Sequence, residues 1–110
     1  MTNTSTIDAV FRALADPTRR SVYERLLGGE EITVVDLTRD SGVTQGAISQ
    51  HLKSLKLAGL VSERPAGRRT YYRAAPAGLA PLCDWMDHYS VFWRDRMSAL
   101  GAVLKDIDPS

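Results

Sequence analysis

A chain of 110 residues, 44% hydrophobic and 25% charged, has the length and balance of one globular domain with a modest core. No apolar run approaches the roughly 20 residues needed to span a bilayer, and the opening MTNTSTIDAV lacks the basic and apolar regions of a signal peptide. The single cysteine, Cys83, excludes an internal disulfide, so a reducing, cytoplasmic setting with no membrane partner is expected.

Net charge is only +1, but it is unevenly distributed. Residues 1–50 hold five basic and seven acidic side chains, and residues 79–110 hold three and five. Between them Lys53, Lys56, Arg64, Arg68, Arg69 and Arg73 stand against the single Glu63. A compact positive block between mildly acidic segments implies one anion-binding face rather than general adhesion.

In chain order, residues 1–6 are polar and expected to fray. A short helix fits Ile7 to Leu14, with Val10, Phe11 and Leu14 on one side. Asp16 is placed to cap a second helix whose first position is Pro17, where a missing N–H costs nothing. Val22, Tyr23 and Leu26 form its apolar face, and Gly28-Gly29 end it. EEIT reads as a short strand. Thr33 with Asp36 three residues on makes a capping box that opens a brief helix to about Ser41. Gly42 supplies a turn, and Thr44 caps the next helix. There Ile48, Leu52 and Leu55 are spaced four and three apart, forming one buried stripe, and Gly59 ends it. LVSERP and RTYYRA, separated by Ala66-Gly67-Arg68, predict a hairpin with a basic tip. APAGLAP then breaks the chain before a last long helix from about Leu79 to Leu104.

The fold class that follows is mainly α with a small β-hairpin, an α+β arrangement in a single domain over 1–110. A helix-turn-helix occupies about 33–58, a wing about 60–75 and a C-terminal helix about 79–104. With Ile48, Leu52 and Leu55 inward, Gly46, Ser49, Gln50 and Lys53 point outward, and Gln45 lies in the first turn. Short amides and hydroxyls can exchange hydrogen bonds with base edges, while Gly46 leaves room for close approach. Lys53 and Lys56 suit phosphates. Thr44 is first a cap, placed at the same DNA-facing end. His51 lies beside the apolar stripe, where a half-buried packing role weighs at least as much as a base contact. Arg68 and Arg69 at the wing tip would meet the backbone or minor groove, or else form a solvated turn. Double-stranded DNA is the partner these residues imply.

FRALADPTRRSVYERLL followed by GVTQGAISQHLKSLKLAGLVSERPAGRRTYYRA resembles the ArsR/SmtB family of small dimeric winged-helix transcriptional repressors. The resemblance covers about Ala9 to Ala75 and rests on the Ala-Asp-Pro-Thr-Arg entry, the Ser-x-His-Leu step and the Ala-Gly-Leu-Val exit. It implies DNA contacts at Gln45, Ser49 and His51. Gly46 departs from the proline or serine often found there. A metal does not come with the resemblance. The helix before the turn, ITVVDLTRD, has no cysteine, and near the C-terminus only Cys83, Asp84, Asp87 and His88 could serve. Asp84 and His88 share a face but are too few for a zinc site, so no metal or other cofactor is expected. Nor does a partner thiol or activating charge accompany Cys83.

The last helix carries Leu79, Met86, Trp93, Leu100 and Ile107 at seven-residue spacing, with Leu82, Tyr89 and Val103 three further on and Trp85 and Phe92 widening the stripe. About 26 residues of helix would run about 39 Å, more than one small domain can cover. Leu82, Trp85, Met86, Tyr89, Phe92 and Trp93 therefore predict a homodimer seam, which would set two recognition helices about a twofold axis and suit a near-palindromic operator. Two rival functions remain: a metal- or thiol-sensing repressor of the same fold, and a winged-helix protein-interaction module without DNA. An enzyme is not expected, because no Ser/His/Asp set, Gly-rich phosphate loop or carboxylate pair emerges.

Overall fold

The computed structural model describes the backbone of residues 2–107 and the side chains of residues 6–105. Its elements run α1 (Thr2–Ala15), α2 (Pro17–Leu26), β1 (Ile32–Thr33), α3 (Val34–Thr38), α4 (Gln45–Leu57), β2 (Val61–Ala66), β3 (Arg69–Ala74), α5 (Ala80–His88) and α6 (Ser90–Ile107). The first helix thus starts well before Ile7, and α3 stops three residues short of Ser41.

The three expected caps all form. Asp16 Oδ1 accepts from the Arg19 N–H at 2.9 Å, Thr33 Oγ1 from Asp36 at 3.3 Å, and Thr44 Oγ1 from Ala47 at 3.1 Å. At the far end of α4, Gly59 adopts φ 79°, a left-handed conformation that a side chain would strain. Its N–H donates to Lys56 O at 3.0 Å and the Leu60 N–H reaches back to Leu55 O at 2.9 Å, closing the helix and turning the chain into β2.

The sheet is larger than a hairpin. β1 pairs antiparallel with β3, Ile32 opposite Tyr72, so β3 lies between β1 and β2. Pro65 lacks a ladder N–H, and β2 is an edge strand where this is tolerated. Ala66 faces Arg69 across a two-residue loop, Gly67-Arg68, with Gly67 at φ 62° as such tight hairpins require.

One core joins these elements. Val10 and Ala13 of α1, Val22, Tyr23 and Leu26 of α2, Leu37 of α3, Ile48, Leu52 and Leu55 of α4, and Leu60 and Val61 are all buried. The stripe on α4 is completely withdrawn from water, as its spacing predicts. Replacing Leu52 by Ala is expected to cost about 2–5 kcal/mol of stability, read as a shift in the urea midpoint; a loss below about 1 kcal/mol would mean that the site collapses around the smaller side chain. Gly78 explains the break after the wing. A Cβ there would stand 2.8 Å from Gly59 O and 3.0 Å from Leu60 Cα, so only glycine lets the chain pass.

The C-terminal segment departs from expectation. Instead of one helix over 79–104, α5 and α6 are separated at Tyr89, which has φ −107° and ψ 23°. Its N–H turns back to Met86 O at 3.1 Å, and its own carbonyl accepts from Trp93 at 3.1 Å to start α6. No Gly or Pro causes this break. Tyr89-Ser90-Val91-Phe92-Trp93 is a run of middling or poor helix formers. Trp85 and His88 hold the Tyr89 ring at centroid distances of 5.3 and 4.8 Å. The seven-residue pattern is divided accordingly: Leu79 and Leu82 pack on their own core, whereas Met86, Trp93 and Leu100 are exposed. Ile107 lies outside the described side chains. The radius of gyration, 17.8 Å, exceeds the roughly 13 Å of a compact chain this long, as a projecting terminal helix would produce.

Candidate nucleic-acid interface

The candidate surface starts at the N-terminus of α4. Thr44 spends its hydroxyl on the cap, leaving Gln45, Gly46, Ser49, Gln50 and Lys53 exposed on the side opposite the core. These residues come together as their spacing requires.

His51 does not belong to that outer row. It is half-buried toward α2, where its Nδ1 accepts from Arg19 Nε at 3.4 Å. With Nδ1 accepting, a neutral ring carries its proton on Nε2. The Arg19 backbone is itself held by the Asp16 cap, and that bond keeps the Asp16 carboxyl below its ordinary range.

The positive block is smaller than the sequence count. Lys56 pairs with Glu63, and Arg64 grips Glu31 through two bonds of 2.8 and 3.0 Å while lying over the Tyr71 ring. Those hydrogen bonds hold both carboxyls below the usual range, so the pairs persist at neutral pH. The two acids release their partners only as pH falls through that lowered range. Arg64 thereby fastens the wing to the segment before β1. Among the described residues no ion pair involves Lys53, Arg68 or Arg69, and all three are exposed.

Two arginines absent from the sequence-derived set matter here. Arg25 Nη1 donates to the carbonyls of Asp36 and Leu37 at 3.3 and 3.0 Å, tying α2 to the end of α3. Only the tertiary packing brings these groups together. Arg39, at the end of α3, shares a cleft of about 440 Å³ with Thr33, Asp36, Arg68, Arg69 and Thr70. It falls in the acidic half of the sequence, and charge counting passes over it.

The expected seam residues make two sets of ring contacts. Phe11 packs edge-on against Trp85 at 5.7 Å, Trp85 meets Tyr89, and Phe92 meets Trp93 at 5.1 Å, yet all five remain substantially exposed, as does Met86. Leu82 differs, being partly buried in its own core. Cys83 is exposed. Among the described residues no three His, Cys, Asp or Glu side chains gather where a metal could be held, and no helix is long and apolar enough to cross a membrane.

Comparison with known proteins converges on this architecture. A helix-turn-helix domain model matches residues 14–64. The chain is 46% identical over 97 residues to the HTH-type transcriptional regulator Rv2034 of Mycobacterium tuberculosis, covering 88% of this chain and 87% of that protein. It is 35% identical to the transcriptional repressor SdpR of Bacillus subtilis, over 70% of this chain and 84% of the relative. A solution structure from Mycobacterium bovis, described as a homodimeric winged helix-turn-helix DNA-binding domain and a possible ArsR-family regulator, superposes with a TM-score of 0.63. It is 27% identical and covers 97% of this chain and 84% of its own. A buried-stripe helix presented after a tight turn, a basic wing and these relatives have one common account: the chain belongs to the ArsR/SmtB family of winged helix-turn-helix transcriptional regulators.

Proposed function

We infer that the protein is a homodimeric, sequence-specific DNA-binding repressor, acting in the cytoplasm on a near-palindromic operator, and that it is neither an enzyme nor a metal-dependent sensor. One observation carries this: α4 buries Ile48, Leu52 and Leu55 completely while holding Gln45, Gly46, Ser49 and Gln50 in the open. A rigid helix that offers uncharged short donors and acceptors suits base edges in a major groove. Lys53, one turn on from Ser49, suits the flanking phosphates. His51 is half-buried and accepts from Arg19 of α2, so we assign it first to seating α4.

Two copies joined through α5, α6 and Phe11 would present two α4 helices about 34–36 Å apart, one turn of duplex, as in other twofold helix-turn-helix dimers. Occupying the operator would then exclude transcription there. Arg68 and Arg69 stand at the tip of a hairpin whose first strand is tied to Glu31 through Arg64, so they extend from a fastened stem.

Binding to an operator recovered by mapping genomic sites, followed over a salt series, tests the proposal. Nanomolar-class affinity is expected. Replacing Arg68 or Arg69 by Ala should weaken operator and scrambled duplexes alike, and flatten log affinity against log salt by about 0.9 unit per lost contact. No preference of the parent for any duplex over scrambled DNA would overturn the function. Unchanged slopes would remove the wing arginines from it.

A further inference from the structure

Arg39 stands on the wall between two clefts of opposite character. On one side is the 440 Å³ cleft between α3 and the wing, which it shares with Arg68, Arg69 and Thr70. On the other is a cleft of about 350 Å³ lined by Glu30, Glu31, Asp36 and Asp40, with Arg25. A single bond of 3.2 Å, from Nη1 to Asp36 Oδ1, holds it between them. Its remaining N–H groups make no hydrogen bond or ion pair among the described residues. The two side chains are 68% and 50% exposed, so the pair is weak and readily screened.

The wing cleft collects three guanidinium groups against one carboxylate, a balance that favours an anion. A guanidinium offers a fork of donors matched to two oxygens of one phosphate, and only one of its arms is engaged by Asp36. A duplex lying against α4 and the wing tip would carry its backbone beside Arg68 and Arg69, and the cleft that these two share with Arg39 adjoins that tip.

We propose that Arg39 joins Arg68 and Arg69 in holding a DNA backbone phosphate in this cleft, and that Asp36 competes with that phosphate for Arg39. Asp36 is then a built-in brake on sequence-independent affinity, keeping the protein from lodging on random DNA. The proposal rests on the DNA-binding function inferred above.

Five full-length proteins test it, each titrated with salt on operator and scrambled duplexes: the parent, Arg39→Ala, Arg39→Lys, Asp36→Asn and the double variant Arg39→Ala with Asp36→Asn. Arg39→Ala should weaken both duplexes and reduce the salt slope by about 1.8 for the dimer, one contact in each half-site. Arg39→Lys should restore most of the slope, which a merely structural role would not predict. Asp36→Asn should tighten binding about two- to fivefold per half-site at low salt. That gain should vanish when Arg39 is also Ala. An unchanged slope for Arg39→Ala overturns the phosphate contact. A gain that survives in the double variant overturns the competition, since Asp36 would then act only through overall charge. A parent that binds no duplex overturns the function itself, and the proposal with it. A parent that binds normally beside an indifferent Arg39→Ala overturns the proposal alone.

Discussion

Removing residues 78–110 is expected to leave a product that is monomeric or unfolded in sedimentation, with operator affinity reduced at least a hundredfold. The reason lies in the surface that α5 and α6 expose. Trp85, Met86, Tyr89, Phe92, Trp93, Met97, Leu100, Val103 and Leu104 are each between 38% and 59% exposed, an apolar series that Phe11 and Arg96 cover only in part. Association through that series would link two weak half-site contacts into one, and avidity of this kind commonly contributes about 10²–10⁴ in affinity. Truncation also removes Leu79 and Leu82 from the core, so a second variant separates assembly from folding. Phe92→Glu with Trp93→Glu alters exposed side chains on α6, outside the buried core. It should give a folded monomer of 12.1 kDa with the same loss of operator binding. A variant that stays dimeric, or a monomer that keeps full affinity, would show that another surface does the joining.

Replacing Gln45 or Ser49 by Ala should cost about 1–3 kcal/mol per half-site on the operator, roughly doubled in the dimer, and much less on scrambled DNA. Both residues are exposed at the start of α4, and neither side chain makes a hydrogen bond among the described residues. The Thr44 cap stays intact, and Ala is the best helix former, so stability should hold. Selective loss on the operator is therefore the signature of base reading. Equal losses on both duplexes, with folding unchanged, would mean that these side chains only touch backbone.

The outward placement of Gln45, Ser49, Gln50 and Lys53 was legible because a four-and-three apolar spacing determines which residues face away from it. Arg68 and Arg69 were legible because Gly67 marks the loop beside them. The pairing of Lys56 and Arg64 was not. Lys56 and Arg64 look available in a count of charges, but Glu63 and Glu31 neutralise them, the latter from 33 residues away. Arg39 shows the opposite error: it is acidic in company and basic in place, because folding lays the wing tip across from it.

Signals that act within about four residues sufficed for the caps at Asp16, Thr33 and Thr44, the helix end at Gly59, the hairpin turn and the stripe on α4, since each depends on local dihedral freedom or one nearby hydrogen bond. The pairing of β1 with β3, the inward turn of His51 toward Arg19, and the need for Gly78 beside Gly59 were decided only by packing. The break at Tyr89 stands between these cases. Its run of weak helix formers is visible in the chain, but an apolar repeat of seven is equally compatible with one continuous helix. What distinguishes the two halves is tertiary packing: Leu79 and Leu82 are held on the core of the domain, whereas the apolar positions from Met86 onward stay exposed, a division that exists only once the chain has folded.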